Sequence, residues 1–504
     1  MSLFATCFYN NATPSGLCYF SVRDLNELGY QKKNVQHHKY LLMSNNRVKS
    51  LYRMSAIALL CLAIAHDTFA RFGGAGGHGG GGYSGGGGSG YGGGGGGGLI
   101  IWLFSSPLGI VVLIIAIAYY VYTSKKKGGN SEEQESNMAA TPTVPFPEGL
   151  DSNKVATSFM AMQDAWMRKD VTNVRKWLSD GMYQRLATQF KMMNILGQRN
   201  VLGNIQIHGI KASATNTDGH YQTVEVAISF SMDDSFVSDK YPQFNESYGS
   251  DTDVEYWTFI KRTDSDSEKN LYSNNNCPNC GAPFEVKMGE ISRCSNCNTL
   301  TNSAAYDWVL SEVTQADDYN GGAGLSNDRN LSELMKNDPF FAVQRIEDIA
   351  SNIFMQVMDV MTGSDEKRLT RFADDATISS IVQQKQSTPP YVFDRLYLND
   401  VTLRRYVVEG NVVKLYVDLK ATCRRVAINP RLQMLDNDFV TRGFSIELSR
   451  SIDVSGKANK AETVYSYECS SCGAPYTDTT NDKCTYCDAP VIDKGRNWVL
   501  TGFA

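Results

Sequence analysis

Eight cysteines fall into two sets of closely matched spacing: Cys277, Cys280, Cys294 and Cys297 in "CPNCGAPFEVKMGEISRCSNC", and Cys469, Cys472, Cys484 and Cys487 in "CSSCGAPYTDTTNDKCTYC". Each set is two C-x-x-C pairs, with thirteen residues between the pairs in the first and eleven in the second. A C-x-x-C turn offers two soft ligands, and two facing turns complete a tetrahedral four-thiolate site of the zinc-ribbon kind. Gly281 and Gly473 follow the second cysteine of the first knuckles, where a tight turn needs positive φ. Asn298 and Asp488 hold the matching place in the second knuckles, and these residue types tolerate the left-handed region best among non-glycines. Thiolate softness selects zinc or iron. The lack of nearby histidines points to two closed, structural Zn2+ sites, with rubredoxin-type iron as the alternative. Cys7, Cys18, Cys61 and Cys423 form no spacing that suggests a site.

Paired cysteines are metal ligands or disulfides according to compartment, and the amino-terminal third bears on that choice. Residues 1–53 read as an extension with alternative starts at Met43 and Met54. Residues 54–70 have the anatomy of a secretory signal peptide: a basic start at Arg53, an apolar run from Ala56 to Ala65, and small residues at its end. Residues 71–98 are glycine-rich, with nothing to bury, and are expected to form a disordered tether. From Leu99 to Tyr122 no charge occurs, enough to cross a hydrocarbon core of about 30 Å as a transmembrane helix. Tyr119, Tyr120 and Tyr122 and then Lys125, Lys126 and Lys127 end the span, so its carboxyl side is expected in the cytoplasm. After a linker over 123–150, both cysteine sets would then lie in a reducing compartment, which favours metal over disulfides.

The elements that must position the cysteines repeat. "YWTFIKR" (Tyr256 to Arg262) and "YDWVLSEV" (Tyr306 to Val313) flank the first set; "FSIELSRSI" (Phe444 to Ile452) and "NWVLTGF" (Asn497 to Phe503) flank the second. Each run is short, alternating and rich in β-branched and aromatic residues, so each ribbon is expected between two antiparallel strands. Upstream, Val155, Phe159, Met162 and Trp166, then Val174 and Leu178, then Tyr183, Leu186 and Phe190 fall at helical spacing; Phe341, Ile346, Ile349, Ile353 and Val357 do the same in the second copy. Strand-like runs follow in both, "NIQIHGIKASA" and "YQTVEVAISFSM", then "RLYLNDVTLRRYVVEG" and "NVVKLYVDLKATC". Helices before a curved antiparallel sheet, twice over, is an α+β class. The domains are placed at 151–320, with a ribbon at 274–300, and at 335–504, with a ribbon at 466–491.

The stretches around Trp166, "WLSDGMYQRL" (Trp177 to Leu186), "VEVAISFSM" (Val224 to Met232) and "YWTFIKR" closing with "DWVLSEV" resemble the carboxyl-terminal domain of the mitochondrial import inner-membrane translocase subunit forty-four. Its bacterial relatives combine a signal peptide, a Gly-rich segment, a membrane span and this domain. The ribbons depart from the mitochondrial pattern. The resemblance implies a cone-like fold of the nuclear transport factor two type, helices on a bent sheet around an apolar pocket. It also implies contact with membrane lipid and partner proteins at a bacterial inner membrane, and it brings no catalytic residues.

A net charge of −5 argues against a nucleic-acid partner, which needs a basic surface. After the span the only histidines are His208 and His220, neither with a sequence-visible catalytic partner. The glycine tract lacks the Lys-Ser/Thr of a phosphate-binding loop. The expected function is therefore a membrane-anchored, zinc-binding scaffold or transport-type protein rather than an enzyme; the alternative is an enzyme using the pocket on a small hydrophobic substrate.

Overall fold

The computed structural model describes residues 142–504 except 266–268, 285–287, 320–337, 339–340, 429–430, 452–468, 470, 475–482 and 492–496. The expected extension, signal peptide, tether and span, and the linker up to residue 141, lie outside the described residues. Among those described, no helix is long and apolar enough to cross a membrane.

Helix α1 (Ser152–Arg168) starts where the Asp151 carboxylate accepts the Lys154 N–H at 2.7 Å, and ends at Lys169, whose φ of 53° reverses the chain. Its apolar stripe, Val155, Phe159, Met162 and Trp166, is buried as the spacing predicts. The next expected helical residues behave differently. Val174 and Leu178 bracket a single 3-10 turn, Arg175–Trp177, because Lys169 has already closed the helix. Ser179 then caps α2 (Asp180–Ile195). Strands β1 (Gln198–Asp218), β2 (Tyr221–Ser238), β3 (Glu246–Arg262) and β4 (Val309–Gln315) form an antiparallel sheet in sequence order. Its inner face buries Val224, Val226, Ile228, Phe230, Trp257 and Phe259 against both helices.

The second half repeats this plan. Helix α3 (Val343–Met361), a 3-10 turn (Glu366–Arg371) and α4 (Asp375–Ser387) precede β5 (Val392–Glu409), β6 (Val412–Ala427), the short β7 (Gln433–Met434), β8 (Val440–Ser451) and β9 (Val499–Phe503). The sheet order is β5-β6-β8-β9, with β7 beside β6. The correspondence reaches single residues. Leu178 bridges Leu310 in one half and Ala373 bridges Leu500 in the other, both in parallel. Ser179 N–H donates to Leu310 O at 2.9 Å, and Asp374 N–H to Leu500 O at 3.1 Å. "DWVL" (307–310) and "NWVL" (497–500) thus do the same work, each binding the sheet to the start of its second helix. The cysteine segments lie between β3 and β4 and between β8 and β9, adjacent antiparallel strands, as expected.

The two halves join along α2 and α3. Most of α2 is buried on both sides, including the polar Asp180, Gln184, Thr188 and Gln189. Asp348 of α3 accepts from Ser179 Oγ (2.5 Å) and Gly181 N (3.1 Å), so it supplies acceptors to the amino end of a helix in the other half. Arg185 Nη2 donates to Ser351 Oγ (2.8 Å) and pairs with Glu312 (3.3 Å); Lys191 Nζ pairs with Asp359 at 2.5 Å. Gln189 accepts from Leu396 N at 2.9 Å, and Gln198 donates to Asp394 at 2.6 Å.

Candidate metal centres

All four knuckles share one backbone turn. In the first site, Gly281 N–H returns to Cys277 O (2.9 Å) and Asn298 N–H to Cys294 O (2.9 Å). In the second, Gly473 N–H returns to Cys469 O (2.8 Å) and Asp488 N–H to Cys484 O (3.0 Å). The turning residues stand at φ of 74°, 58°, 73° and 56° in chain order, the left-handed region expected of Gly281, Asn298, Gly473 and Asp488. Each turn aims two sulfurs inward.

In each set one ligand atom per cysteine lies within 4.8 Å of all the others. Across the knuckles Cys277 Sγ is 3.6 Å from Cys297 Sγ, and Cys280 Sγ is 3.8 Å from Cys294 Sγ. The second set gives 3.5 Å for Cys469 with Cys487 and 3.7 Å for Cys472 with Cys484. Four thiolates about 2.3 Å from a central ion stand about 3.8 Å apart on the edges of a tetrahedron, whereas a disulfide needs about 2.05 Å. All eight thiols are free, and these separations fit a four-thiolate ion. The Thr299 hydroxyl and backbone N–H draw the Cys297 thiol down to about 6, while burial pushes Cys277 up to about 12.

The sites differ in their surroundings. Buried Arg175 holds the first: its Nε donates to Gly289 O (3.0 Å) and its Nη2 to Glu290 O (2.7 Å), while Nη2 also pairs with Asp180 (2.6 Å) and the guanidinium stacks on Tyr183. Lys176 Nζ donates to Asn274 O (2.9 Å) and Asn275 Oδ1 (2.7 Å), fixing the approach to Cys277. Ile291 and Leu300 pack on the core of the second half, and Glu290 pairs with Arg368 at 3.3 Å. The first ribbon is therefore wedged between the halves. Cys469, Cys484 and Val491 of the second instead form a small cluster with Ala474 and Ala489.

Sequence reasoning missed Arg175, Lys176 and Asp348. Arg175 and Lys176 lie in the 3-10 turn Arg175–Trp177, all three of whose residues are buried. His208 Nε2 lies 2.8 Å from Ser231 Oγ on the sheet, and His220 offers its backbone carbonyl to Thr263 N.

The cleft between α2, β4 and β5, lined by Trp166, Met182, Leu186, Val313, Leu396 and Leu398 among others, encloses about 20 Å³, room for about one water.

Residues 152–271 match the Tim44-like domain family. The matched Tim44-like region runs from the start of α1 to the segment just before the first ribbon, so the cysteines lie outside it. No curated protein matches the chain. Among solved structures, the intermembrane space region of chloroplast protein ARC6 is similar at 13% identity, covering 34% of this chain and 98% of that one, with a TM-score of 0.20. An Ntf2-like protein involved in plasmid conjugation is similar at 8% identity over 58% and 92%, with a TM-score of 0.13. No reading of the fold rests on either.

Proposed function

We propose that the chain is a membrane-anchored scaffold in which two tandem domains, 151–320 and 335–504, bind lipid or partner proteins at the cytoplasmic face of a bacterial inner membrane. Each domain is of the nuclear transport factor two type and carries a structural zinc ribbon. Cys277, Cys280, Cys294 and Cys297 hold one Zn2+, and Cys469, Cys472, Cys484 and Cys487 the other. The observation that carries this reading is the Tim44-like region at 152–271, a domain of membrane-associated scaffolds. Two closed four-thiol clusters support it, since they leave no ligand position for chemistry. The charge-free stretch at 99–122 supplies the anchor.

Binding is proposed on outer surfaces; the cleft between α2, β4 and β5 has room for about one water and is not the proposed site. The test is crosslinking of the full chain in its own membranes, followed by purification and analysis of proteins and lipids. A reproducible protein or lipid partner is expected. Recovery of neither, together with turnover of a small hydrophobic substrate by the purified chain, would overturn the scaffold in favour of an enzyme.

A further inference from the structure

We propose that the two metal sites are unequal: the second, Cys469 to Cys487, exchanges its metal readily, while the first keeps its metal as a fixed part of the seam between the halves. This deepens the zinc reading above and rests on it.

The first observation is at the sulfurs. In the first site an asparagine precedes the last cysteine of each knuckle, and each reaches across to the other knuckle. Asn279 Nδ2 donates to Cys297 Sγ at 3.6 Å, and Asn296 Nδ2 to Cys280 Sγ at 3.4 Å. Thr299 Oγ1 steadies Asn279 at 2.8 Å and lies 3.3 Å from Cys297 Sγ. Donors at a ligating sulfur spread its negative charge and fix its direction, so the thiolate is a poorer base and leaves the metal less readily. The matching places in the second site are Ser471, Tyr486 and Ala489. Ser471 and Tyr486 offer backbone N–H groups to Cys469 and Cys484, each at 3.4 Å, and these are the buried sulfurs. Cys472 and Cys487, both exposed, receive no side-chain donor among the described residues. The Tyr486 ring is 69% exposed and shields neither.

The second observation is docking. Opening the first site strains the Arg175 bonds to Gly289 and Glu290, the Arg368–Glu290 pair and the seat of Ile291 and Leu300. Among the described residues, the packing around the second site is its own small cluster of Cys469, Cys484 and Val491 with Ala474 and Ala489. Exchange proceeds one sulfur at a time. A competing ligand bonds to the metal as one thiolate leaves, the freed thiolate takes a proton from solvent, and no electron is transferred. Both exposed sulfurs of the second site are open to that first step, whereas in the first site Cys297 is half-buried and both outer sulfurs are bonded by asparagines.

The experiment is release of zinc from the full, zinc-loaded chain into an excess of a coloured chelator. Two equivalents are expected, one leaving at least about tenfold faster than the other, and Cys472→Ser should abolish the fast equivalent alone. The double variant Asn279→Ala with Asn296→Ala keeps all eight ligands and should speed the slow equivalent several-fold, which decides the matter if Cys472→Ser fails to fold. Two equivalents leaving at one rate, a fast phase that survives Cys472→Ser, or an unchanged slow phase in the asparagine variant would overturn the inequality. A chain that takes up no metal would instead overturn the zinc reading itself.

Discussion

Asp348 belongs to α3 of the second half, yet it completes α2 of the first. Its carboxyl is partly buried against Ser179 and Gly181, and that desolvation pushes it up to about 7. Nearby on the same seam, burial raises Glu347 well above the ordinary carboxylate range, reinforced by Glu312, and raises Glu312 despite Arg185. A carboxyl raised from about 3.9 in the unfolded chain to about 7 stabilises the fold most below the lower value, and that stability is lost as pH rises through the upper one. Wild-type stability should therefore fall between pH 4 and pH 8, with Asp348 contributing up to about 4 kcal/mol of the fall. Asp348→Asn should flatten that slope while keeping the acceptor for Gly181 N. Denaturant unfolding at several pH values measures it, and identical slopes for the two proteins would show that Asp348 does not titrate in this range. The cysteines were readable because a knuckle is local: spacing, glycine and a left-handed residue all lie within five positions. Asp348 was not, because its partners lie 167 and 169 residues away and an isolated aspartate in a helix reads as surface.

Gly181 is the second residue of α2, and alanine has the better helix propensity there, by up to about 1 kcal/mol. The reason for glycine is proximity: a β-carbon there would stand 2.6 Å from the Asp348 backbone oxygen, closer than any real contact. Gly181→Ala should thus destabilise the chain by about 1–3 kcal/mol through overpacking, despite better propensity, and a stabilised variant would show that the helices can part freely. The apolar periodicity located α1, α2 and α3 because it marks the stripe each turns to its own sheet: Phe159, Leu186, Ile353. It said nothing of the opposite face, where Ser179, Arg185, Thr188 and Lys191 bond to Asp348, Ser351, the Met355 carbonyl and Asp359 of α3. Polar side chains in a seam between domains carry the same sequence pattern as polar side chains in water. A glycine in the first turn of α2, beside the buried Asp180, was the one signal available. The strands were legible where one face alone is buried, as along β6 from Val412 to Leu419, whereas β4 and the first twelve residues of β5 are buried on both faces; β3 with β4 and β8 with β9 pair around the cysteine segments as expected.

At the scale of the whole molecule, the two halves of like topology are not independent units. Each half repeats the same helix-to-strand lock, Leu178 with Leu310 and Ala373 with Leu500, but the first ribbon has become part of the contact between halves. A metal held by those four cysteines would then be linked to how firmly the halves hold together, since a bound ion stabilises whatever must fold to hold it. Structural zinc sites bind with about 10–16 kcal/mol, and even a fraction of this exceeds the few kcal/mol that separate a closed seam from an open one. Cys294→Ser, which breaks the first site alone, should raise hydrogen exchange beyond the ribbon itself. The expected segments are Val174 to Gly181, where Arg175 and Lys176 lose their carbonyl partners, and Glu366 to Arg371, where Arg368 loses Glu290. Cys484→Ser in the second site should leave both segments as protected as in the wild type. If exchange in Cys294→Ser rose only between residues 274 and 302, the first ribbon would be an appendage of its own hairpin, and the halves would be held by α2 and α3 without it.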